Sequence, residues 1–265
     1  MIKHKNICFL ILLLIPTLFS SCLKIGEYYV GLHLQPDMEN NKFEPGLNVF
    51  GIIKSGPDFD TINHRFEVHR LLDINDWENG FEVNDARIQL VRKTTNGEEF
   101  SYELNSYSNG LYYFPDIIAA EGDVWKYSCT YDTFTVNATC TIPNEPIVDE
   151  QSFVFIDNSL VFNIQSDSSA YMYTVYLIQD QYAEVIQAIP TPDSITSVKI
   201  EPEWTIAEGK LFLYIFAFDK NIRQYHTTSN TFFKPNAYRP LFSTVDGGYG
   251  VFGAASSTQV ILDKR

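Results

Sequence analysis

Histidine and cysteine, the side chains that most often hold metals, are scarce in this chain, at five and four in 265 residues. His64 and His69 lie near Asp58 and Asp60, but five residues apart on a strand they leave on opposite faces. No Cys/His pair has zinc spacing and no Asp-x-Asp-x-Asp-Gly calcium loop occurs, so neither metal nor cofactor is expected. A Gly-x-Ser-x-Gly elbow is missing and the scattered histidines form no recognisable triad, so no catalytic residue is named and the chain reads as non-enzymatic. Basic residues are few as well: 19 Lys and Arg stand against 33 Asp and Glu, a net charge of −14. Such an excess repels phosphate backbones and argues against nucleic acid as a partner. There is no low-complexity tract, and no repeat recurs at a fixed period.

Long apolar runs are also rare, and the one at the start is informative. Lys3 and Lys5 precede an unbroken apolar stretch from Ile7 to Leu14, followed by Phe19-Ser20-Ser21-Cys22. A positive n-region, an apolar h-region and small residues before the cut describe a secretory signal. The run is too short to span a bilayer, which takes about 20 apolar residues. Cys22 stands where a bacterial lipobox has its lipidated cysteine, with Phe19 at a position that usually holds Leu. The expectation is a signal peptide over 1–21 and a lipidated tether over 22–46. Acyl chains on Cys22 then anchor the protein, each buried methylene adding about 0.8 kcal/mol. Loss of Lys3 and Lys5 with the signal leaves 17 basic against 33 acidic residues, a net −16.

Aromatics make up 15% of the chain, mostly Tyr and Phe, which favour strands. Alternation at period two predicts strands over 47–53, 65–72, 87–91, 100–104, 111–114, 125–131 and 134–142, with turns at Asn96-Gly97 and Asn109-Gly110. That density fits a β-sandwich. Pro143 and Pro146 break the pattern, so a first domain is expected over 47–143 and a second, β-rich domain over 144–265. In the second, strands are predicted over 152–156, 160–164, 171–178, 183–188, 196–200 and 211–218. The runs 171–178 and 211–218 are almost wholly apolar, as in strands covered on both faces, with a buried helix as the lesser alternative for 211–218. The fold class is all-β, two immunoglobulin-like sandwiches after a signal peptide. A hairpin turning at Asp132-Thr133 sets Cys129 opposite Val136 and Cys140 opposite Trp125, too far apart to bridge, which favours two unpaired core cysteines.

The order of several motifs resembles a Bacteroidota lipoprotein family called domain of unknown function 4249. They are the lipobox, Leu47-Asn-Val-Phe-Gly-Ile-Ile53, Gly110-Leu-Tyr112, Glu121-Gly-Asp-Val-Trp-Lys-Tyr127, Thr139-Cys-Thr-Ile-Pro143 and Asp246-Gly-Gly-Tyr-Gly-Val-Phe-Gly-Ala254. The first half also resembles carboxypeptidase-regulatory-like sandwich modules in fold. The family resemblance implies an outer-membrane lipoprotein, an accessory or structural partner of a TonB-dependent transporter, and it carries over no catalytic residues. The segment after Cys22 lacks the acidic run of surface-export tags, so the periplasmic leaflet is favoured over the cell surface. Gly248, Gly250 and Gly253 match the letters of a dinucleotide fingerprint, but the strand-like sequence after them leaves no βαβ unit. Close backbone packing is the preferred reading of this segment, with Gly247, Gly248, Gly250, Phe252 and Gly253 as a possible partner-docking surface. Trp77 and Trp204, among the loop aromatics Tyr28, Tyr29, Tyr107, Tyr112, Tyr113, Tyr238 and Tyr249, are candidates for stacking on a glycan in an alternative, nutrient-binding role.

Overall fold

Strand alternation organises the molecule as the sequence predicts. The structure, a computed structural model, describes residues 45–57, 64–71, 80–191, 194–229 and 244–264. The strands are β1 (Leu47–Ser55), β2 (Arg65–Arg70), β3 (Arg87–Lys93), β4 (Glu99–Ser108), β5 (Leu111–Tyr113), β6 (Val124–Tyr131) and β7 (Phe134–Thr141) in the first half. The second half holds β8 (Ile147–Ile156), β9 (Ser159–Gln165), β10 (Met172–Gln179), β11 (Tyr182–Ala188), β12 (Ile195–Ile200), β13 (Gly209–Phe218), the helix α1 (Lys220–Ser229) and β14 (Tyr249–Lys264). One sheet runs β11-β10-β13-β14-β1-β2-β5-β4-β3-β6-β7, and a second runs β12-β9-β8. The fold is all-β, with strands packed around two separate cores, as expected.

Each sandwich has its own core. In β1 every second residue is buried, and Leu47, Val49 and Ile53 join Phe66, Val68, Ile88, Leu90, Trp125 and Tyr127 in the first. The second gathers Leu160, Phe162, Ile164, Tyr173, Val175, Leu177, Leu211, Leu213 and Ile215. Turns follow local chemistry: two-residue connections at Asp132-Thr133, Asp157-Asn158 and Asp180-Gln181 place Asp132, Asp157 and Asp180 at φ of 51°, 53° and 54°. Aspartate tolerates this left-handed region better than most residues.

The apolar run 211–218 is the strand β13, and the cover over its second face is a helix. Gln187, Thr174 and Phe216 lie in register across β11, β10 and β13, and Thr174 and Phe216 are buried although they face away from the core. His226 of α1 bonds the Gln187 carboxamide at 2.8 Å, and Ile222 of the same helix lies against Gly253. The helix thus spans the outer side of this sheet.

The last strand crosses the division expected at Pro143. Its first half, Tyr249–Ser256, runs parallel to Asn48–Ser55 of β1, and its second half, Ala255–Lys264, runs antiparallel to Gly209–Phe218 of β13. Phe252 and Ala254 belong to the first core, while Val260 and Leu262 pack on the second. The first sandwich is therefore discontinuous in sequence, built from residues 47–142 together with 245–254. The turns and alternation that marked Pro143 are local signals, and they carry no information about a pairing some 200 residues away.

Candidate functional site

The glycine-rich segment before and within β14 sits where three parts of the chain meet. Asp246 bonds the edge strand β7 in both directions, its N–H donating to Asn137 O at 2.7 Å and its carbonyl accepting from Asn137 N at 2.9 Å. Gly247 has φ of +79°, and a Cβ there would fall 2.2 Å from Thr135 O. A Cβ on Gly248 would meet the Val136 side chain at 2.6 Å. At Gly250, φ is +103° and a Cβ would stand 1.9 Å from Val49 O. Only glycine allows so close an approach of two backbones. Phe252 is fully buried, stacked between Tyr127 at 5.1 Å and Phe66 at 6.5 Å. Gly250, Phe252 and Gly253 therefore face the interior and offer no surface to a partner, whereas Gly247 is exposed. The segment is a strand rather than the turn into a helix that a dinucleotide needs.

Beside it lies a polar junction that the sequence did not flag. Asp219 is 6% exposed at the start of α1. Its carboxylate accepts from Ile222 N at 3.0 Å, an N-cap, and its N–H donates to Ala254 O at 3.0 Å. Burial raises its pKa to about 7, partly offset by the backbone N–H groups it accepts from. Asn221 Nδ2 donates to Thr139 O and to Phe252 O, both at 2.9 Å, so one amide ties α1 to β7 and to β14. Gly253 leaves the room for Asp219, whose Oδ1 would lie 2.8 Å from a Cβ there. A local signal existed: Asp219-Lys-Asn follows an apolar strand with the pattern of a helix N-cap.

Cys129 and Cys140 are free and buried, in the register opposite Val136 and Trp125 that the turn at Asp132 dictates. Burial lifts the Cys129 thiol to about 11 and raises that of Cys140 as well, so both stay protonated and unreactive at neutral pH. His64 is a core histidine held at both nitrogens, Nδ1 accepting from Lys54 N at 3.3 Å and Nε2 donating to Ile117 O at 3.2 Å. Among the described residues, no group of three or more His, Cys, Asp and Glu is placed to hold a metal.

The aromatics divide. Cys22, Tyr28, Tyr29, Trp77 and Tyr238 lie outside the described residues. Tyr112 is a core side chain rather than a loop platform, its hydroxyl accepting from Ala86 N and donating to Val83 O, each at 2.8 Å. Tyr107 is exposed and Tyr113 half exposed. Trp204 packs against the second core and stacks on Tyr182 at 5.7 Å. Its loop is pinned by Asn158, which donates to Pro202 O and Trp204 O and accepts from Ile206 N. The ring is a lid on that core, with Tyr182 in the place a sugar ring would take.

No family model and no curated protein matches the chain. Solved structures similar to it include a two-domain fibronectin type III segment of chicken tenascin, at 12% identity, TM-score 0.28, and 83% of this chain against 98% of that one. The FN1–FN3 domains of chicken CNTN1 give 11% and 0.28, covering 82% of this chain and 63% of theirs. A tetra-tandem repeat from the extending region of a large adhesion protein gives 10% and 0.26, covering 84% of this chain and 50% of that one.

Proposed function

We propose that this chain is a non-enzymatic outer-membrane lipoprotein that serves as an accessory or structural partner of a TonB-dependent transporter. The observation that carries the reading is Cys22, set directly behind a charged n-region, an apolar h-region and two serines. The ordered motifs shared with the lipoprotein family point the same way, and an acidic body is well suited to stay off anionic lipid headgroups while acyl chains hold it nearby. A parallel β1–β14 pairing of eight residues directly after the tether gives the anchored end a firm attachment to the body. The periplasmic leaflet is the favoured location.

Affinity capture of the native complex from solubilised outer membranes tests the partner. A β-barrel transporter recovered with the wild-type chain supports the reading, and repeated capture without one removes it. Cys22→Ser should release the protein from the membrane fraction, and mass spectrometry of the mature N-terminus should find an acylated cysteine. An unmodified terminus would overturn the anchor. Protease shaving of intact cells decides the leaflet, with protection expected.

A further inference from the structure

The outer face of the first sandwich carries a groove of about 520 Å³, a size typical of small-ligand sites. Its floor follows from strand register. Val91, Lys126 and Thr139 form one cross-strand row over β3, β6 and β7, and Gln89, Ser128 and Asn137 form the next. Their chain neighbours Leu90, Tyr127 and Ala138 point into the core, so these six face outward. The wall is Thr244 and Asp246, held along the edge of β7 by the paired main-chain bonds between Asp246 and Asn137.

The lining decides the ligand. Amides and hydroxyls both donate and accept, the Lys126 ammonium only donates, and the Asp246 carboxylate only accepts. An apolar molecule would bury these groups unpaired, at a cost. A phosphate or other strong anion meets a single cation here, offset by Asp246, on a chain of net charge −14. A molecule dense in hydroxyls can meet the donors and the acceptors of this lining together. The ladder bonds of three strands fix the rows in advance, so little ordering remains to be done on binding. We propose that this groove binds a neutral oligosaccharide through its hydroxyls, edge on, without an aromatic platform. The site is independent of the transporter reading, because sugar binding and capture of a transporter are lost or kept separately.

The test uses the full mature protein in detergent on an array of neutral oligosaccharides, with acidic ones for comparison, followed by titration of the hits. Neutral binding is expected. Asn137→Ala and Lys126→Ala should each weaken it about three- to tenfold, the range of one hydrogen bond. Ser128→Leu, which fills the floor, should abolish it, and Trp204→Ala should leave it unchanged. Hydroxyl-radical footprinting of the wild-type protein with the bound saccharide gives a readout that needs no variant, with protection expected at Val91, Lys126 and Asn137. Absence of any neutral binder, binding confined to acidic glycans, protection elsewhere, or affinity lost in Trp204→Ala but kept in Ser128→Leu would each overturn the assignment.

Discussion

The two sandwiches reach closure by different routes. The second is assembled wholly from antiparallel pairs, two of them joined by two-residue turns, with a mostly aliphatic core and loops fastened by single amides such as Asn158. The first takes in a parallel strand from the far end of the chain and accepts polar groups into its interior. Arg92 and Asp123 pair at 2.6 Å with side chains 13% and 2% exposed, and the Asp123 carboxylate also accepts from Ala120 N. A sandwich whose paired strands lie within some 55 residues of one another tolerates local error. One closed over some 200 residues depends on a few contacts that nothing nearby can replace.

The largest expected effect strikes that dependence. Gly250→Val drives a β-branched side chain into Val49 O at a backbone φ of +103° and should cost more than about 4 kcal/mol. Hydrogen exchange should show residues 47–142 losing protection while 195–217 keep theirs. Simultaneous loss in both would mean that the sandwiches unfold as one cooperative unit, and the contrast drawn above would fail.

Asp123→Ala leaves Arg92 buried without its partner and should destabilise by about 3–5 kcal/mol. Denaturant titration reads this, and a cost under 1 kcal/mol would place the first core on the same footing as an exposed pair.

The junction at Asp219 has a pH signature of opposite sign. Its folded pKa, about 7, lies above the ordinary value of 3.8, so the folded state takes up the proton first and stability falls as pH rises from about 4 to about 7, then levels. Asp219→Asn keeps an N-cap acceptor and removes the buried charge, which should raise stability at pH 8 by up to about 4 kcal/mol. The gain should vanish near pH 4. Parallel melting curves at the two pH values settle it, and a variant less stable at pH 8 would contradict the account.

The smallest effect is a control for the first. Gly97 also has a positive φ, +88°, in the turn between β3 and β4, but a Cβ there meets nothing within 4 Å. Gly97→Ala should cost only the backbone strain, about 1–2 kcal/mol. A loss as large as that of Gly250→Val would show that conformation, and not contact with β1, sets the penalty.

Much of the architecture was readable because it is written at short range. Alternation located the strands from 47–53 to 211–218, and the turn at Asp132 fixed the partners of both cysteines, while the hairpin turns at Asp157 and Asp180 were not read. The packing role of Gly248, Gly250 and Gly253 was legible as close approach, since glycine repeated at that spacing has few other uses. The surface they pack on was not. Parallel pairing between Asn48 and Tyr249 leaves no periodic trace in either segment, and the N-cap at Asp219 was hidden by the apolar run before it. The groove escaped notice because its residues, such as Gln89, Lys126 and Asn137, are common on the outward face of any strand and become a site only through register.

The shared strand also sets a timetable. Leu47–Ser55 leaves the ribosome long before its parallel neighbour exists, and at about 5–20 residues per second the wait for Tyr249–Ser256 lasts on the order of 10–40 s. During that interval one side of β1 is a bare, apolar template, open to any other extended chain. For an exported chain, that edge must stay shielded until Tyr249–Ser256 has followed it across the membrane.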